Sequence, residues 1–67
     1  MTQTQSIMQS TVEELDKIVE RVEELYEWAG EEGYRAIEHK LQEAAGPLMA
    51  ALEAAAQYRD GVLTPRQ

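Results

Sequence analysis

The chain has 67 residues, no cysteine, one histidine and a formal net charge of −7. Chains below roughly 70–80 residues usually need disulfides, a metal, oligomerisation or very regular helix packing to stabilise a single small core. The lack of Cys excludes disulfides and thiolate metal sites, a lone His argues against structural zinc, and the acidic balance argues against direct contact with a nucleic-acid backbone or an anionic membrane.

The opening MTQTQSIMQS has neither a basic segment nor an apolar run, so it does not read as a secretion signal. No apolar stretch approaches the ~20 residues that cross a bilayer. A soluble, cytoplasmic protein is expected. The first predicted helix covers residues 10–29: Val12, Leu15, Val19, Val22, Tyr26 and Ala29 recur at alternating three- and four-residue steps, and Ile18 and Leu25 widen this stripe. Ser10 with Glu13, and Thr11 with Glu14, match the capping box that starts a helix. Ser6 with Gln9 offers an earlier start that would add Met8 to the stripe; otherwise residues 1–9 form a frayed end. Gly30 reads as the stop.

The next segment, Gly30-Glu31-Glu32-Gly33, is short enough to fold the chain back antiparallel. A second helix is expected over 32–59, with the Glu31 and Glu32 charges at its N-terminus. Its stripe is Tyr34, Ile37, Leu41, Ala44/Ala45, Leu48, Leu52 and Ala55/Ala56. Gly46-Pro47 interrupts this run, because Pro lacks the backbone donor and clashes with the preceding turn. Either a new helix begins at Pro47 or one helix is kinked there. The apolar phase survives the pair and leaves no residues for a reversal, which favours a kink, or a break with a small change of direction. The alanines that follow permit close helix approach but bury little area each. Gly61 suits the left-handed position after the helix, with Val62 as its hydrophobic contact, and 62–67 is a tail.

The fold class is therefore all-α: an antiparallel helical hairpin with a Gly46-Pro47 kink or break, forming one domain over 1–67. Each stripe occupies about three of every seven positions and calls for more than one neighbour. Pairing two hairpins into a four-helix bundle supplies them, so a homodimer is expected. Its core would contain Val12, Leu15, Val19, Val22, Tyr26, Ile37, Leu41, Leu48 and Leu52. In architecture, though in no sequence motif, this resembles the Rop-type dimer.

Little in the chain points to catalysis. His39 and Glu43 could face one way on a helix, but two ligands fall short of a usual metal site. The ferritin-like Glu-x-x-His pattern fails because Ala36 stands three residues before His39. Ser6 and Ser10 are accounted for by capping. The carboxylates between Gly30 and Gly33 would repel a phosphate. No enzyme activity, cofactor or metal is expected.

The acidic residues carry the stronger signal. Between Thr11 and Gly33 there are nine acidic residues and two basic ones, Lys17 and Arg21, whereas the remaining charges balance. Asp16, Glu20, Glu23 and Glu27 form one helical row, and Glu31 follows a turn later. Like charges four apart each cost a few tenths of a kcal/mol. The row is either a solvated outer face or a surface that meets Lys and Arg, as a helical imitation of a phosphate backbone. Trp28 and Tyr34 flank the reversal, either as an aromatic plug closing the turn or as anchors for a partner.

These features point to protein–protein interaction, with an inhibitor or regulator that sets its acidic first helix against a basic, nucleic-acid-binding surface. In length and acidity the chain is similar to phage anti-defence proteins, many anti-CRISPRs among them, although no motif carries that likeness. The alternatives are a structural or regulatory helical subunit of a larger assembly and a small-ligand-binding bundle dimer.

Overall fold

A computed structural model describes residues 3–65. Among these residues there are two helices and no strand: α1, Gln3–Glu32, and α2, Arg35–Arg59. They pack side by side as a hairpin. The molecule measures 46 × 21 × 12 Å, so it is one helical layer thick. Its long dimension is that of α1, since 30 residues at ~1.5 Å each give ~45 Å.

α1 starts well before the expected Ser10. Residues 3–9 contain no Gly or Pro to stop a helix, and Met8 extends the stripe toward the N-terminus. The predicted capping boxes therefore lie inside the helix and do not cap it. The Thr11 hydroxyl donates to the Ile7 carbonyl at 3.0 Å, one turn back. Glu13 accepts from the Gln9 side-chain amide at 3.2 Å. Of the expected frayed ends, residues 1–2 and 66–67 lie outside the described residues.

Nor does α1 stop at Gly30. It runs to Glu32, and Gly33 takes the left-handed conformation at φ +83°. Tyr34 N–H donates to the Ala29 carbonyl at 2.8 Å and Gly33 N–H to the Gly30 carbonyl at 3.3 Å. These are the two bonds of a Schellman motif, which satisfies the last carbonyls of a helix. The connection is thus Gly33-Tyr34. Gly30 serves a different purpose: a Cβ there would lie 2.5 Å from Glu38 Oε2 across the hairpin. Because α2 begins at Arg35, Glu31 and Glu32 stand at the C-terminal end of α1. There the helix dipole disfavours negative charge, the reverse of the expected stabilisation.

α2 passes through Gly46 and Pro47 as a single helix, so the chain is not split there. It closes with a second Schellman motif. Gly61 is at φ +80°, Val62 N–H donates to the Gln57 carbonyl at 2.9 Å, and Gly61 N–H donates to the Tyr58 carbonyl at 3.3 Å. Val62 remains 72% exposed, so the motif's backbone bonds form without burying the valine. At this open end of the hairpin Arg59 Nη1 donates to Gln9 Oε1 at 2.9 Å, joining the two helices.

The core is thin. Among the described residues only Val19, Ala29 and Ala55 are buried, and no large side chain is fully buried. Val12, Leu15, Val22, Tyr26, Leu41, Leu48 and Leu52 are half-buried along the seam. Ile37, placed with the core by its spacing, is 45% exposed within the hairpin. A single helix neighbour covers only part of a stripe this wide. No helix among the described residues is long and apolar enough to cross a membrane.

Candidate protein-binding face

At about 100° per residue, Asp16, Glu20, Glu23 and Glu27 fall within about 60° of one another around α1. Glu31 continues the row, and all five are exposed. From Asp16 to Glu31 the row runs about 22 Å along the helix. Ile7, Ile18 and Leu25 lie on the opposite flank, about 180° away. On α2 the same arithmetic puts Gln42 and Glu53 on one flank and Ile37, Ala44 and Ala51 on the other. A shallow groove lined by Val22, Glu23, Tyr26, Leu41, Gln42 and Ala45 shows which flanks belong together. Glu23 and Gln42 border the same opening. One broad face of the hairpin therefore carries the acidic row, and the other carries Ile7, Ile18, Leu25, Ile37 and the two alanines, with the exposed carboxylates Glu14 and Glu32 of α1 among them.

Charge pairing does not relieve the row. Among the described residues the ion pairs are Arg21–Glu24 at 3.0 Å, Arg35–Glu38 and Lys40–Glu43 at 3.4 Å, His39–Glu43 at 2.8 Å and Arg59–Asp60 at 3.0 Å. None includes Asp16, Glu20, Glu23, Glu27 or Glu31. Glu13 and Lys17 stand four apart, a spacing that permits an ion pair, but none forms between them. Arg59 is held above its ordinary pKa, chiefly by its hydrogen bond to Asp60 and then by the charge of that carboxylate. Arg35 and Lys40 are thus engaged with carboxylates of α2 itself, and Arg59 with that of its C-cap residue, Asp60.

Trp28 and Tyr34 meet at the turn. Their ring centroids are 5.2 Å apart with planes tilted by 31°. Both stay about half exposed, at 46% and 51%. Tyr34 occupies the N-cap position of α2 without a side-chain capping bond. The two aromatic candidates are brought together, but they do not join the acidic row. Trp28 lies about 100° around α1 from Glu27, beside Arg21, Glu24 and Leu25.

His39 and Glu43 form an exposed pair, and no group of three potential metal ligands occurs among the described residues. The apolar broad face was not anticipated as a separate feature. Its signal was present in the sequence, since Ile18 and Leu25 widen the stripe of α1 to one side only. No family model matches the chain, and no curated protein or solved structure shows significant similarity to it.

Proposed function

We propose that this chain binds another protein as an inhibitor or regulator, setting the acidic flank of α1 against a basic, nucleic-acid-binding surface. One observation carries the reading. Five carboxylates stand exposed in one row, form no ion pair among the described residues, and sit on a helix whose C-terminal dipole opposes the last of them. A face needed only for solubility could mix signs, as α2 does. In this reading the protein is a cytoplasmic homodimer with α2 bent at Pro47. It works as small acidic phage anti-defence proteins do, with Trp28 and Tyr34 as anchors at the turn, away from the charged row.

The test is capture of a partner from the native host on tagged chain. Binding should weaken steeply with salt, yield to a soluble polyanion such as heparin, and disappear in the chain carrying Asp16→Lys and Glu20→Lys. Capture that survives the double charge reversal at physiological salt would refute the acidic-surface reading. Salt-insensitive capture would favour a subunit of a larger helical assembly.

A further inference from the structure

The homodimer in the proposed reading is given no particular face by its acidic chemistry. We infer that two copies pair through the broad face carrying Ile7, Ile18, Leu25, Ile37, Ala44 and Ala51, about a two-fold axis parallel to the helices. This inference rests on the dimer part of that reading and not on the acidic row.

Surface area supplies the first argument. The hairpin exposes 5186 Å², whereas a compact monomer of 7.6 kDa exposes about 4300 Å². The excess of about 900 Å² matches the ~800 Å² that each partner contributes to a standard interface. It is also the footprint of one broad face of a body measuring 46 × 21 × 12 Å. The acidic face cannot meet its own copy without bringing a row of like charges together, whereas on the opposite face α1 has only Glu14 and Glu32, far apart along the helix.

Shape supplies the second. On this face α1 presents large side chains, with Ile7 53% and Ile18 48% exposed, while α2 presents the exposed Ala44 and Ala51. Gln9 is level with Arg59 and Gly30 with Glu38 across the hairpin. Ile18 is therefore level with residue 50 and Leu25 with residue 43. A two-fold axis along the helices lays α1 of each copy over α2 of the other at the same levels. Ile18 then falls over the partner's Ala51, and Leu25 over the partner's Ala44, each within one residue of the same level. Large side chains stand over small ones, and the contact is self-complementary, as a two-fold requires. An axis across the helices would instead set the large side chains of α1 against one another and leave the alanines of α2 facing alanines.

Light scattering should give the mass of two chains, with a melting temperature that rises with protein concentration. Ile18→Asp, at a position already exposed in the single hairpin, should give a folded monomer by scattering and circular dichroism. Met49 lies two turns after Gln42, on the acidic broad face, and is exposed, so Met49→Asp should remain a dimer. Because the chain has no cysteine, Ile18→Cys with Ala51→Cys should cross-link two chains under mild oxidation, and Ile18→Cys alone should not. A monomeric wild-type chain overturns the dimer, while the acidic-surface reading still stands or falls by the lysine exchange. A dimer that tolerates Ile18→Asp overturns the face, and cross-linking by Ile18→Cys alone overturns the axis.

Discussion

Trp28 and Tyr34 stack at 5.2 Å across the left-handed residue Gly33. Tyr34 is also the residue whose N–H closes the longer bond of the turn, to the Ala29 carbonyl. Backbone and side chain thus fix the same reversal, with the rings supplying the hydrophobic contact that accompanies a Schellman motif.

A double-mutant cycle on Trp28→Ala and Tyr34→Ala should give a coupling of about 0.5–1.5 kcal/mol, the usual range for an aromatic pair. Chemical denaturation measures it. A coupling indistinguishable from zero would mean that the rings do not hold the turn and leave partner binding as the reason for both.

Gly33→Ala should destabilise the chain by about 1 kcal/mol, because an L residue at φ +83° is strained even where space is open. No atom lies within 4 Å of the Cβ it would add, so the loss is conformational. Gly33→Asn should lose less, since Asn tolerates this region. Thermal unfolding should show a fall of about 4–8 °C for the alanine variant.

Pro47 lies inside α2 with its ring exposed. Pro47→Ala should restore the missing backbone donor and stabilise the helix by about 1–3 kcal/mol. Circular dichroism and denaturant midpoints report the gain. A loss of stability instead would show that packing depends on the geometry imposed by the proline.

Glu20 has Asp16 one turn before it and Glu24 one turn after. Glu20→Lys replaces two repulsions by two attractions, for a gain of about 1 kcal/mol at low ionic strength. The gain should fade as salt shortens the screening length. Melting curves in dilute buffer and in molar salt separate this from a change in helix propensity.

Much of the fold was legible in the alternation of Val12, Leu15, Val19, Val22 and Tyr26, because a stripe at helical period has one packing solution in a chain with a short reversal. The helix ends were less legible. Ser10 and Thr11 have capping chemistry, but a hydroxyl can equally bond a carbonyl one turn back, and only the continuity of the helix upstream decides between the two. Gly30 and Gly33 were equivalent in sequence. They differ because one faces Glu38 across the hairpin and the other takes the left-handed turn.

The sequence by itself determined the two amphipathic helices, their reversal and the concentration of negative charge on the first, since each depends on spacing along one chain. Only the tertiary structure decided which flanks share a face. The antiparallel pairing placed Glu23 beside Gln42 and set the acidic row on the opposite side from Ile18 and Ile37. It also left the core one layer thick, because two helices can cover only one seam of stripes this wide.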